Sequence, residues 1–167
     1  MAAEFVRQGC LVIDSDELNR EVLARPEVIA RLRSWWGDGV ILPGGGVDRQ
    51  AIAAIVFSDA AERERLERLV HPLIDERRAD MMRYASDDRA VRAIILDSPL
   101  LFESNLNRLC DRTIFVDASE ESRIARVRQA RGWDESELKR REAHQWPVER
   151  KHAACDYVIR NDASVSE

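Results

Sequence analysis

Residues 94–103 read Ile94-Ile95-Leu96-Asp97-Ser98-Pro99-Leu100-Leu101-Phe102-Glu103, and the first four of them decide the class of fold. A short β-branched and leucine-rich run that stops on an acid has the pattern of a buried strand in a parallel sheet. With this strand taken as Ala93 to Asp97, similar runs ending near an acidic or polar residue recur at Cys10 to Asp14, Thr113 to Asp117 and Tyr157 to Asn161. Helical patterns separate all four. Strands alternating with helices make βαβ units, and in such sheets ligands sit at the carboxyl ends of the strands. Asp14, Asp16, Asp97 and Asp117 are therefore expected at or near the productive edge.

The opening stretch Met1 to Gln8 reads as the tail of a helix stopped by Gly9. Between the first and second strands lies a long helical insertion. Val28, Ile29, Leu32, Trp35 and Trp36 form an apolar stripe that Gly37 ends, and Asp48 caps a second helix carrying Ile52, Ile55, Val56 and Phe57. Asp59 with Glu62 has the spacing of a capping box and opens a third helix through Leu66, Leu69 and Val70. Pro72 is expected to bend or break that helix, because it removes a hydrogen bond and clashes with the preceding turn. Asp134 with Glu137 repeats the capping-box signal ahead of an arginine-rich helix running toward Trp146 and Pro147. The triplet Gly44-Gly45-Gly46 follows Pro43 and lacks a lysine, so it reads as a turn rather than a phosphate cradle.

With 167 residues, 45% of them apolar and 34% charged, the chain fits one soluble domain with a real core. A net charge of -5 supplies no basic face for nucleic acid, whereas a few local arginines suffice for a small anion. Cys10, Cys110 and Cys155 form no C-x-x-C pair and read as buried or idle thiols of a reducing cytosol. No apolar run is long enough to cross a bilayer, and Glu4 stands where a secretion signal would carry positive charge. The expectation is a cytoplasmic protein with no membrane partner, a monomer or weak oligomer.

Val12-Ile13-Asp14-Ser15-Asp16 puts two carboxylates on the same side of an extended chain, since side chains alternate along a strand. Such a pair accepts a proton from a substrate hydroxyl or holds Mg²⁺; equally, one of the two caps a helix beginning near Glu17. Asp97 has the placement of a carboxylate that orients magnesium-bound water beside nucleotide phosphates. Arg123, Arg126, Arg128, Arg131, Arg140 and Arg141 form a basic stretch in an acidic chain. They are fixed cations for phosphoryl transfer or solvated partners of Glu120, Glu121, Glu135 and Glu137. His71, before Pro72, is a structural hydrogen-bonder or at most a substrate contact.

In order along nearly the whole chain, these pieces resemble the dephospho-coenzyme A kinase family, which phosphorylates the ribose 3′-hydroxyl of dephospho-CoA with ATP. The resemblance is carried by Val12-Ile13-Asp14-Ser15-Asp16-Glu17-Leu18, Asp48-Arg49-Gln50, Val56-Phe57 and Leu69-Val70-His71-Pro72-Leu73-Ile74. It continues through Pro99-Leu100-Leu101-Phe102-Glu103, the stretch from Arg126 to Arg131, Arg141 with Gln145, and Asp156-Tyr157-Val158-Ile159 with Asn161. It implies an α/β fold, a P-loop kinase-like three-layer parallel sheet. A single kinase domain is expected, with its core at residues 1–16 and 90–167, a helical insertion for dephospho-CoA over 17–89 and a lid over about 131–146. It further implies Asp16 as general base supported by Asp14, Asp97 near Mg²⁺, and Arg126 and Arg131 on the transferring phosphate. Arg141 and Asn161 complete the ATP side, while Arg49, Phe57, His71 and Pro72 grip dephospho-CoA.

One family feature has no match: the chain contains no G-x-x-x-x-G-K-[ST]. In the family that loop follows a strand lying mid-sheet, between the neighbours represented by Ala93 to Asp97 and Thr113 to Asp117. The central first strand is therefore expected to be absent, as from a gene start assigned to an internal methionine. Two inner strands would then carry unpaired ladder groups, at about 1 to 3 kcal/mol for each one water cannot reach. The closing helix is expected to be cut short after Asp162-Ala163-Ser164. Two other readings stand beside the kinase: an inactive paralogue that binds a CoA-like ligand, and another nucleotide kinase acting on a nucleoside monophosphate.

Overall fold

The computed structural model describes residues 2–143 and 145–162. Met1 and His144, expected in the opening helix and the lid, and Ala163 and Ser164, expected near the closing helix, lie outside the described residues. The chain divides into two compact units, Met1–Ser98 and Pro99–Glu167.

In the first unit, helix α1 (Ala2–Arg7) ends at Gly9, whose φ of 81° is a conformation that side chains disfavour. The chain then enters β1 (Leu11–Asp14), which pairs in parallel with β2 (Ile94–Asp97) from Leu11↔Ile94 to Asp14↔Asp97. The Leu11 N–H donates to the Ala93 carbonyl at 3.0 Å, carrying the ladder back to the expected start of β2. Between these strands run α2 (Ser15–Leu23), α3 (Pro26–Trp36), α4 (Arg49–Ser58) and α5 (Ala60–Asp87). Their apolar stripes, with Val40 from the short turn of helix between α3 and α4, meet in a core of Val22, Leu23, Val28, Leu32, Ile52 and Val70. The glycine triplet is the expected turn: Leu42 N–H donates to the Gly46 carbonyl at 2.7 Å, and Gly45 has φ 87°.

Two local expectations are corrected here. Helix α5 runs unbroken through Pro72 for 28 residues. Pro72 and Arg68, whose carbonyl loses its N–H partner, both lie on the exposed face where water replaces the bond, while Leu69, Val70, Leu73 and Ile74 pack into the core. Burial of about 1.5 to 3 kcal/mol per large apolar side chain outweighs the roughly 3 kcal/mol of an internal proline. The capping box at the start of α5 is only half made. Asp59 Oδ1 accepts from the Ala61 and Glu62 N–H groups, but the Glu62 carboxylate accepts from Trp36 Nε1 at 2.7 Å. A partly buried indole N–H needs an acceptor, and this one comes from across the core.

In the second unit, β3 (Ile114–Asp117) is followed by α6 (Glu120–Arg131), α7 (Glu135–Glu142), α8 (Val148–Ala154) and β4 (Tyr157–Arg160), which pairs in parallel with β3. The expectation of buried strands fails in this unit. Phe115 packs edge-on against His152 of α8, but Ile114 and Val116 face solvent and β4 is exposed throughout. A parallel strand reads as apolar on both faces because both are meant to be covered, and here α8 covers one. Among the described residues, β2 and β3 each pair along one edge. No helix among them is long and apolar enough to cross a membrane.

Lys151 is the buried charge among the described residues of this unit, with 8% of its surface exposed. Its Nζ donates to the Pro99 carbonyl (3.0 Å) and Gln145 Oε1 (2.9 Å) and pairs with Glu103 Oε1 (3.0 Å). That carboxylate oxygen also accepts the Trp146 N–H at 2.6 Å. Burial works to raise the Glu103 pKa, but the Trp146 and Lys151 hydrogen bonds prevail and hold it below the usual range. Because an uncompensated buried charge is penalised more than a missing pair, Lys151→Met is expected to lose about 3 to 5 kcal/mol in urea denaturation. The double variant with Glu103→Leu should recover much of that; equal losses in both would show that the stranded carboxylate is not the cause.

Candidate functional site

Both strands of the first unit end on aspartate at one rung of the ladder, so Asp14 and Asp97 stand side by side at the carboxyl edge. Asp14 also terminates the strand. Its Oδ1 accepts from the N–H groups of Asp16 (2.8 Å) and Glu17 (3.0 Å), making it the N-cap of α2. This corrects the expected geometry: Asp16 does not lie on an extended chain with Asp14, because the chain turns helical at Ser15. Asp16 instead stands exposed in the first turn of α2. The alternative that one acid caps a helix is the one that holds for Asp14.

Asp97 senses the two acids near it. Burial pushes the Asp97 pKa up, and the negative charges of Asp14 and then Asp16 push it further. An acid so placed favours a proton or a cation beside it. Among the described residues, no group of three or more His, Cys, Asp or Glu side chains is arranged to hold a metal ion.

The helical insertion presents its four expected contact residues to solvent. Arg49 is the first residue of α4, Phe57 (71% exposed) lies in its last turn, and His71 and Pro72 lie midway along α5. Asp59 joins the two helices, which places Phe57 at their corner, and at 1.5 Å per residue His71 lies about 16 Å along α5 from that corner. The four therefore mark an extended surface rather than one compact pocket.

In the second unit the arginines separate by role. Arg123 donates to Glu142 (3.0 Å) and to the Ala118 carbonyl (2.7 Å), tying α6 to α7. Glu137 holds both Arg140 and Arg141, the latter at 2.7 Å. Arg126 adds positive charge near Asp162, whose carboxyl is held low chiefly by the Ser119 N–H. Arg131 and Arg141 converge on the indole of Trp133, 4.7 and 4.1 Å from its centroid. The Asn161 N–H donates to the Asp117 carbonyl at 2.7 Å, placing Asn161 just past the end of β4. A cleft of about 290 Å³ opens at the carboxyl end of β3, lined by Asp117, Arg123, Gln145, Trp146 and Lys151 among others.

Sequence reasoning missed Lys151 and Trp133. A signal for the first existed: the chain has only two lysines against many arginines, and a lysine ammonium offers three donors around one point charge. No pattern marked Trp133. At neutral pH, Asp97→Asn is expected to raise the melting temperature slightly, because the raised Asp97 pKa means its ionised form is disfavoured by folding. The native chain's advantage lies below the ordinary carboxylate range and is lost as pH rises through the raised value. Thermal melts should therefore show the variant's gain shrinking as pH falls into that range; a gain independent of pH would remove the charge as its source.

Comparison with known proteins adds independent findings. The family model described as dephospho-CoA kinase matches residues 1–167. The chain is 32% identical to a dephospho-CoA kinase of Shouchella clausii, over 98% of this chain and 83% of the relative. It is 33% identical to one from Thermobifida fusca, over 100% and 82% of the two chains. A crystal structure from Thermus thermophilus superposes with a TM-score of 0.79 at 31% identity, covering 98% of this chain and 82% of that one. A Campylobacter jejuni dephospho-CoA kinase, at 21% identity and a TM-score of 0.68 over 99% and 84% of the two chains, shares the fold.

Proposed function

The chain belongs to the dephospho-CoA kinase family, and on that premise we propose that it transfers the γ-phosphoryl group of ATP to the ribose 3′-hydroxyl of dephospho-CoA, the closing step of coenzyme A synthesis. The observation that carries this reading at the site is the shared rung of Asp14 and Asp97 with Asp16 just beyond, in the first turn of α2. Phosphoryl transfer needs a base, such as an ionised carboxylate, to take the hydroxyl proton and fixed charges around the phosphates, with little covalent chemistry from the protein. Asp14 commits an oxygen to the helix cap, so its part is to orient. Asp16, exposed in the first turn, is the base.

The donor set at this edge fits Mg²⁺, a hard cation that takes one or two carboxylates and fills its remaining positions with water and phosphate oxygens. Asp97 would hold it, and the like charges that raise the Asp97 pKa favour such an ion. When bound, Mg²⁺ neutralises phosphate charge. Arg126 of α6, with Arg131 and Arg141 of the lid, binds the phosphates of ATP, and Asn161 meets the adenine side. Arg49, Phe57, His71 and Pro72, strung along α4 and α5, suit a ligand as long as dephospho-CoA.

Asp16→Asn is expected to lower phosphoryl transfer to dephospho-CoA by about 10²- to 10⁴-fold, the usual contribution of a general base. ATP affinity, measured by equilibrium binding, should change little. Undiminished transfer by that variant would take the base role from Asp16.

A further inference from the structure

Trp133 occupies a tightly specified position. Gly132, at φ 67°, stops α6 with its N–H on the Arg128 carbonyl, and Asp134 Oδ1 caps α7 through the Glu137 N–H at 2.8 Å. The residue between a helix stop and a helix cap has little freedom, and the Trp133 N–H donates to the Val127 carbonyl. Its half-buried indole then receives two guanidinium groups from different helices, Arg131 from the last turn of α6 and Arg141 from the last turn of α7. The two charged carbons are separated by no more than the sum of 4.7 and 4.1 Å. Like charges held that close repel, and an anion reaching both relieves the repulsion.

We infer that Trp133 is a positioning residue: its indole holds Arg131 and Arg141 as one two-cation receptor for a polyphosphate chain. The inference rests on the phosphate-binding role given to those arginines above. Glu137 already takes the Arg141 Nε–H, but a guanidinium has five N–H donors in a planar fork and stacks by its face, so indole, carboxylate and phosphate engage it in different directions. Arg126, five residues before Arg131, lies about 140° around α6 from it and takes no part in this pair.

Inorganic tripolyphosphate is the probe, added to the full chain while tryptophan emission is recorded. Subtracting the response of Trp133→Phe removes the contributions of Trp35, Trp36 and Trp146. A saturable Trp133 response is expected, because an anion bound to both guanidinium groups changes the charge over the ring on which they stay stacked; no such response overturns the inference. Each arginine–indole contact at an exposed site is worth about two- to five-fold in an equilibrium. Trp133→Leu should therefore weaken tripolyphosphate binding about five- to twenty-fold and raise KM for ATP equally, with kcat and KM for dephospho-CoA changed less than two-fold. Trp133→Phe, which keeps an aromatic face, should stay near the parent. Parent-like binding by the leucine variant, or equal losses in both variants, overturns the inference; if the leucine variant does not fold, the emission response of the parent decides. Trp133-dependent binding of tripolyphosphate without transfer to dephospho-CoA would sink the kinase reading and leave this one standing.

Discussion

Four rungs of parallel ladder between β1 and β2 place one aspartate beside another, and the chemistry of the first unit depends on that register. A slip of one residue would turn every side chain of β1 to the other face and pull Ile13, nearly inaccessible to solvent, out of the core. Burial of Ile13 therefore holds Asp14 opposite Asp97. The electrostatic penalty of gathering acids at one edge is borne by packing elsewhere in the unit, where the helices enclose Val22, Val28 and Leu32.

The chain opens its helices repeatedly in the same way. Asp14, Asp48, Asp59 and Asp134 each cap a helix by accepting backbone N–H groups, and all four stand at a turn into a helix. Against that habit Asp16 is different, since it lies within the first turn rather than ahead of it. A carboxylate there meets the favourable end of the helix dipole while remaining open to solvent. The division of labour between Asp14 and Asp16 follows from one residue of spacing.

In the second unit a comparable constraint is a buried ammonium. Glu103 closes the Pro-Leu-Leu-Phe-Glu segment, and its carboxylate binds Lys151 of α8 and the backbone of Trp146 together. Phe102 stacks on Trp146, with ring centroids 5.3 Å apart. Charge and aromatic contact thus fasten the same segment to the chain between α7 and α8, and the arginines of α7 are carried by an element whose far end is held. The cysteines play no such part: burial raises the thiol pKa of Cys110 and Cys155, which keeps them protonated.

What the amino-acid sequence by itself determined is local. The four strands, the acidic ends of the first three, the aspartate caps and the glycine turn at Gly45 each depend on a few neighbouring residues, whose backbone preferences act at short range. The parallel order of the strands was legible too, because helices must separate them. Only the tertiary structure decided that α5 continues through Pro72, that Glu62 serves Trp36, that β4 is exposed, and that Lys151 and Trp133 matter. Most of these are settled by the packing of segments distant in sequence: a covered helix face, an indole across the core, a sheet that no described element covers on one side, a carboxylate 48 residues away; Trp133 is settled by two helix ends meeting at its ring. Spacing along a chain encodes geometry within a turn or two; beyond that, the packing of other segments determines which polar groups find each other.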